Sequence, residues 1–451
     1  MSQTPARSVV ILDGCGSSDE KLFPILDLLS DVFCAQGAAI QVFTLRETKL
    51  AHCLGCFDCW LKTPGVCVEA DAGRDIAKAI IRSDATVLFT PVTFGGYSPE
   101  LKKMMDRFIQ LIPPLFHLDH GEVHHPPRYP RRPRLLMVGV QQHANAAEAH
   151  IFKTLAGRNA INFHPPSYAV EVVLASDDLS VLRCRFESLL LRSDSLPFGE
   201  PAASLMPPAL SPSAASSPAE RRALLLVGSP KTKEPSTSGA LAGFLAHRLE
   251  EQGWETNTLT LRASVNRQEG QTELLSAVAR AALVLLVFPL YVDSLPYLVT
   301  KSLTIIAHDR ASQDSPPLPR FAAVVNSGFP ESHQNAVALA ICQEFATQAH
   351  FQWAGGLALG GGAMIGGQPL VEAARSGPPI RHVIAALERT ADSLAQGFPV
   401  PAEAMSLVAK TPVPAAVWKR FYVWMGSRSM KQQAAKNGIN QDQLLARPYA
   451  A

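Results

Sequence analysis

The feature that most limits what this chain can fold into is a repeat at the scale of a whole domain. On either side of a stretch over 196–220 dominated by Pro, Ala and Ser, one order of elements occurs twice. In the first half the run VVILD (9–13) leads through GCGSSDE into a helical pattern carrying Leu22, Ile25, Leu28, Leu29 and Val32. IQVFTL (40–45), a helix over 73–82, TVLFTP (86–91), a helix over 99–112, RLLMVGV (134–140) and AVEVVLA (169–175) follow. The second half repeats the order with ALLLVG (223–228), ETNTLTL (255–261), a helix over 271–282, LVLLVFP (283–289), a helix over 296–307, FAAVVNSG (321–328) and a helix to about 349. Continuous apolar runs alternating with amphipathic helices are what a parallel sheet covered on both faces requires, because each strand is buried from two sides. The expected fold class is α/β: two tandem doubly wound parallel-sheet domains over 1–195 and 221–400, joined by the linker 196–220. A basic, aromatic helical tail over 401–451 completes the chain.

Composition narrows the function classes. With 451 residues the chain is long enough for two domains, and 47% hydrophobic against 18% charged residues supports two cores and excludes global disorder. Forty-one Lys plus Arg against thirty-nine Asp plus Glu leave a net charge of +2, far from the broad positive field that a nucleic-acid backbone demands. No apolar run reaches the length of a membrane span. The N-terminus passes from a short polar lead straight into VVIL, which predicts a cytoplasmic protein.

Sheets of this type bind ligands beyond the carboxyl ends of their strands, where helix N-termini offer backbone N–H groups to anions. In the loop GSPKTKEPSTSGAL, Ser229, Ser236, Thr237 and Ser238 supply hydroxyl donors, and Lys231 and Lys233 add positive charge. The spacing matches neither the triphosphate-binding GxxxxGK[ST] nor the dinucleotide-binding GxGxxG pattern, so a monophosphate such as that of FMN fits better. An ordinary helix cap is the alternative. In the first half Ser17 and Ser18 are the corresponding donors, but Asp19 and Glu20 beside them would repel a phosphate.

The segment TPVTFGGYSPELKKMMDR (90–107) resembles the flavin-ring loop of the NAD(P)H-dependent FMN reductase family, and FPLYVDSLPYLVTKSL (288–303) is similar to another version of it. The resemblance covers 8–190 and 222–395 and implies two flavodoxin-like domains. It also implies an FMN whose ring lies against Pro91, Val92, Thr93, Phe94, Gly95, Gly96 and Tyr97, or against Pro289, Leu290, Tyr291, Val292 and Asp293. Gly95 and Gly96 would permit close approach to a planar ring that Phe94, Tyr97 and Tyr291 could flank; alternatively Pro91, Phe94 and Tyr97 merely cap a sheet edge. Either domain, or both, could hold the flavin.

Four of the eight cysteines crowd into HCLGCFDCWLKTPGVCVEAD, spaced C-x2-C-x2-C-x7-C at Cys53, Cys56, Cys59 and Cys67. Three cysteines at two-residue intervals suit a compact iron-sulfur cluster better than zinc, and plain or disulfide-forming thiols remain open. The spacing also resembles the iron-sulfur flavoprotein branch of the same family, which implies a 4Fe-4S cluster exchanging electrons with FMN. In HLDHGEVHHPPRYPRRPR, His117, His120, His124 and His125 beside Asp119 and Glu122 suggest either a metal site or a solvated, proline-stiffened loop. The tail residues Trp418, Phe421, Tyr422 and Trp424, with Lys419, Arg420, Arg428 and Lys431, suit docking on a domain or a second chain, or a membrane surface.

These features lead to the expectation of an FMN-dependent oxidoreductase taking hydride from NADH or NADPH and passing electrons to a quinone, aromatic or protein acceptor. No side-chain acid or base is required, so no catalytic residue is expected. The alternatives are an iron-sulfur electron carrier serving ferredoxin-like partners and a scaffold without flavin. The duplication further suggests an internal pseudo-dimer or a homo-oligomer.

Overall fold

The computed structural model describes residues 8–198, 205, 221–231, 235–313, 318–376, 380–411 and 413–450. The expected linker 196–220 therefore lies outside the described residues, save 196–198 and Leu205, as does Lys233. The chain divides into two compact units, Met1–Phe198 together with Arg420–Ala451, and Gly199–Lys419.

The first unit runs β1 (Ser8–Asp13), α1 (Phe23–Ala35), β2 (Ala39–Thr44), α2 (Asp58–Leu61), α3 (Gly73–Arg82), β3 (Ala85–Pro91) and α4 (Pro99–Met105). The hairpin β4 (His117–Asp119) and β5 (Glu122–His124) follows, then β6 (Arg134–Gln141), α5 (Ala146–Phe163), β7 (Tyr168–Leu174) and α6 (Leu179–Leu191). The five long strands pair in parallel in the order β2-β1-β3-β6-β7, the doubly wound arrangement expected from the alternation. Its central strands are buried almost throughout, whereas β2 at the edge is largely exposed. The helix expected over 99–112 is α-helical only to Met105 and continues as a tighter 3₁₀ turn over Asp106–Leu111.

The second unit repeats the architecture with β8 (Arg222–Val227), β9 (Glu255–Thr260), β10 (Leu283–Pro289), β11 (Arg320–Asn326) and β12 (Gln352–Leu359), ordered β9-β8-β10-β11-β12 and parallel. The sequence reading stops this sheet at β11. In β12 the glycine pair Gly355–Gly356 interrupts the apolar run, Gly355 takes φ +98°, and the register shifts opposite Phe321 and Ala323, so the strand carries a weak signal. Both units close on the same device: Gly14 and Gly228 follow the first strand, where a Cβ would stand 2.7 Å from Leu101 and 2.4 Å from Val299 respectively. Their bareness lets the helix after the third strand pack against the first-strand end.

The histidine segment forms a hairpin with an exposed tip and a buried return strand, and among the described residues no three metal-ligating groups gather in it. His120 and Gly121, at φ +47° and +85°, turn a hairpin that buries Glu122 and His124. Arg158 Nη1 donates to Glu122 Oε2 at 2.7 Å, and the two nitrogens of His124 meet Glu122 Oε2 at 3.0 Å and Asn162 Oδ1 at 2.9 Å. His125 lies between Trp60 and Phe116, and burial lowers its pKa to about 4. The His124 and His125 rings are buried and hydrogen-bonded inside the unit, so solvation fails for them, whereas His120 at the hairpin tip is exposed beside Asp119.

From Arg420 onward the tail belongs to the first unit, whereas Ala404 and Val408 lie in the core of the second. From the helix Ala415–Lys436, Tyr422 packs edge-on against Phe116 at 5.9 Å, and Ser427 Oγ accepts the Phe116 N–H at 3.0 Å. Beyond it, buried Arg128 donates to the carbonyls of Leu444 and Ala446, Arg447 donates to the Arg128 carbonyl, and Tyr449 OH donates to Gln110 Oε1. Val417, Phe421 and Trp424 remain exposed. Among the described residues no helix is long and apolar enough to cross a membrane.

Candidate functional site

The two third-strand loops are built alike. Thr93 and Gly96 exchange backbone hydrogen bonds of 3.0 and 2.8 Å around Phe94 and Gly95, whose φ values are +54° and +82°. Tyr291 and Ser294 do the same at 3.0 and 3.1 Å around Val292 and Asp293, at φ +50° and +56°. Each loop is also tied to the fourth strand of its sheet, through Val92 N–H to Val140 O and Leu290 N–H to Asn326 O. A β-branched residue such as Val292 in the left-handed region costs about 1–3 kcal/mol, so its neighbours must hold the turn in place. These tight turns project from the carboxyl edge of each sheet, where a planar ring can lie against backbone.

Within the first turn Pro91, Val92 and Thr93 are half-buried, but Phe94, Gly95, Gly96 and Tyr97 are buried. Tyr97 supports the turn from below, its hydroxyl donating to Asn159 Oδ1 at 2.7 Å and its ring meeting Phe152 edge-on. It does not flank an open face, contrary to the expectation for that side chain. In the second turn Pro289, Leu290, Tyr291 and Val292 are half-buried and Asp293 is buried. Gly95 also sits beneath α5, where a Cβ would come within 2.6 Å of Ile151 Cβ. Gly95→Val should therefore lower the stability of the first unit by about 2–3 kcal/mol, read as an earlier urea midpoint. An unchanged midpoint would mean that α5 yields freely.

The first-strand loops differ. Ser17 and Ser18 are exposed at the tip of the first loop, and two of its amides are bonded to its own carboxylates: Gly16 N–H donates to Asp19 Oδ2 at 2.8 Å and Cys15 N–H to Asp13 Oδ1 at 2.9 Å. Arg46 Nη1 pairs with Asp13 Oδ2 at 2.6 Å. The parallel register Asp13↔Thr44 brings an acid and a base just past adjacent strand ends together, a signal the sequence reading missed. Burial, with Asp13 and Asp19 adding, raises the Cys15 thiol pKa strongly. Ser98, also missed, donates to Gly14 O at 2.6 Å and caps α4, tying the ring turn to the first loop.

In the second unit Ser236 is the helix cap, accepting from Gly239 N–H at 3.0 Å; Thr237 donates to Gly362 O, and Asn326 donates to Ser238 Oγ at 2.9 Å and to Phe288 O at 3.0 Å. Ser229 is buried and accepts weakly from Lys231 N–H at 3.4 Å, with Lys231 half-buried beside it. The helix-cap reading thus describes Ser236. Among the described residues of this loop Ser229, Lys231 and Ser236 stand near the strand end, whereas the first loop turns two carboxylates onto its amides.

The cysteine segment wraps around α2. Burial raises the Cys53 thiol pKa to about 12, with Asp106, Cys67 and Cys56 adding, and raises Cys59 well above its ordinary value, with Cys53, Cys67 and Cys56 adding. Cys56 is raised as well, again chiefly by burial. The four thiols are thus close enough to perturb one another, yet among the described residues no three or more His, Cys, Asp or Glu converge as metal ligands. The segment is pinned by Trp60 Nε1 to the Ile109 and Ile112 carbonyls and by Cys67 N–H to Gln110 Oε1.

Residues 9–173 match the family model described as NADPH-dependent FMN reductase. The match falls within the first unit and leaves the rest of the chain unmatched by that model. The matched stretch contains the first parallel sheet and its third-strand turn. Among curated proteins the chain is 36% identical over 72 residues to an iron-sulfur flavoprotein of Methanocaldococcus jannaschii, covering 16% of this chain and 36% of that protein. It is 27% identical over 73 residues to one of Archaeoglobus fulgidus, covering 16% and 32%. The chain thus spans about a third of the length of these curated relatives. Similar solved structures include an NAD(P)H:quinone oxidoreductase from Methanothermobacter marburgensis, 13% identical over 42% of this chain and 95% of that one, TM-score 0.33. Another is an azoreductase from Bacillus anthracis, 13% identical over 39% and 99%, TM-score 0.26.

Proposed function

We propose that the protein is a cytoplasmic FMN-dependent NAD(P)H oxidoreductase that passes electrons to a quinone, aromatic or protein acceptor. The observation that carries this reading is the strained, doubly bonded turn after the third strand, present in both units and within the family match in the first. The bound flavin would supply the hydride and electron chemistry. The chain's own part would be to hold ring edge and phosphate within one unit: the turn backbone of 91–97 with Ser17 and Ser18, or that of 289–293 with Ser229, Lys231, Ser236, Thr237 and Ser238. No general acid or base is assigned.

Anaerobic addition of NADH or NADPH should bleach the long-wavelength flavin absorption, and a quinone should restore it. Purified protein that takes up no flavin would remove this reading.

A cluster on Cys53, Cys56, Cys59 and Cys67 is the second reading, favoured by the shared field of the four thiols. It would need the segment to draw its sulfurs together, since the conformation described does not converge them, and no step is routed through it. About four iron atoms with matching acid-labile sulfide per chain would establish it.

A further inference from the structure

We propose that the helix Ala415–Lys436 lays the face bearing Phe421 and Trp424 on an anionic lipid bilayer, with Arg420, Arg428 and Lys431 reaching the headgroup phosphates. The inference goes beyond the oxidoreductase reading and does not rest on it.

The opposite face of this helix is engaged within the first unit. Tyr422 meets Phe116 edge-on at 5.9 Å, Ser427 Oγ accepts the Phe116 N–H at 3.0 Å, and Ala434 is buried. A Cβ on Gly426 would stand 2.9 Å from the Phe116 ring, so the helix approaches as closely as a bare backbone permits. Those contacts fix which way the helix faces. With about 3.6 residues per turn, Arg420, Phe421, Trp424, Arg428 and Lys431 fall along one stripe on the other side, and all five are exposed. Trp424 is 60% and Phe421 45% exposed, and their rings lie 6.0 Å apart. Single exposed apolar residues are ordinary, but two large aromatic rings side by side on a surface mark a contact site.

Charge decides what the contact is. From Arg420 to Gln441 the chain carries four basic residues, Arg420, Arg428, Lys431 and Lys436, and no Asp or Glu. The whole chain balances at +2, so this excess is local. A second copy placed face to face on the stripe would set these cations against themselves. An anionic bilayer has the opposite charge and the matching layers, with phosphates at the surface and hydrocarbon beneath. Along the stripe the two rings sit between Arg420 on one side and Arg428 and Lys431 on the other, and Arg428 Cζ lies 5.8 Å from the Trp424 ring centre. Aromatic rings settle at the boundary between headgroups and acyl chains, while Arg and Lys keep their charged ends among the phosphates. Lys419 takes no part, because its Nζ pairs with buried Glu331 at 3.4 Å. Among the described residues no helix is long and apolar enough to cross a membrane, so the association proposed is peripheral.

The test sediments the full chain with vesicles of phosphatidylcholine alone and of phosphatidylcholine mixed equally with phosphatidylglycerol. The mixed vesicles should carry the protein down and release it as salt rises, and the neutral ones should bind it at least about tenfold more weakly. Trp424→Ser, and separately the double variant Arg428→Gln, Lys431→Gln, should each weaken binding to the mixed vesicles at least about tenfold. Their melting temperatures should match the wild type, since the altered side chains are exposed. Trp424→Phe should bind nearly as well but show less tryptophan quenching by brominated lipid, which reports entry of this ring into the bilayer even if the serine variant misfolds. Failure of the wild type to bind mixed vesicles overturns the proposal. So does binding that Trp424→Ser leaves intact, or quenching that Trp424→Phe leaves unchanged. A dimer that Trp424→Ser dissociates, with no capture by vesicles, would give the face to a second copy and overturn it as well.

Discussion

Arg158→Leu is expected to destabilise the first unit by about 3–5 kcal/mol, the range for removing one partner of a buried ion pair. Arg158 and Glu122 are 1% and 3% exposed, and Glu122 Oε2 receives both Arg158 Nη1 and the His124 ring. Taking the guanidinium away leaves a buried carboxylate without its principal counter-charge, and the β4–β5 hairpin loses its hold on α5. In a unit of this size the melting temperature should fall by roughly 10 °C. The double variant Arg158→Leu, Glu122→Gln removes both charges and should recover much of the loss, since replacing a whole buried pair costs far less than halving it. Urea titrations of the three proteins decide the matter. A single variant that loses less than about 1 kcal/mol would show that water reaches Glu122.

Removing residues 444–451 should make the cysteine segment reactive. The segment is braced from the chain's far end: Tyr449 OH and Cys67 N–H share Gln110 Oε1, and a Cβ on Gly65 would come within 2.7 Å of Pro448. Arg128, 3% exposed, is fixed by the Leu444 and Ala446 carbonyls together with that of Ile112. Without the tail its charge gains access to water and the floor under α2 opens. Maleimide labelling followed by mass spectrometry should find Cys53 and Cys59 modified at least about tenfold faster, equivalent to about 1.4 kcal/mol of local opening. Cys342, buried in the second unit, serves as the internal control and should not change. Equal rates with and without the tail would show that the segment holds itself closed.

The sequence by itself determined the two sheets and nearly all their strands, because a parallel strand buried on both faces must be written as an unbroken apolar run, as in VVILD and LVLLVFP. It also pointed to both third-strand turns and to the acidic character of the first-strand loop. Only the tertiary structure decided which groups meet. That Asp19 turns back onto Gly16 N–H, that Tyr97 lies beneath its turn with its hydroxyl on Asn159, and that the histidine segment folds into a buried hairpin are all set by contacts between elements. The docking of Tyr449 beside Cys67 is the extreme case, joining positions separated by most of the chain. The physical reason is range. Periodicity records how each segment meets the core nearest to it, whereas the partner of a polar side chain is fixed by where the whole backbone brings a donor to an acceptor.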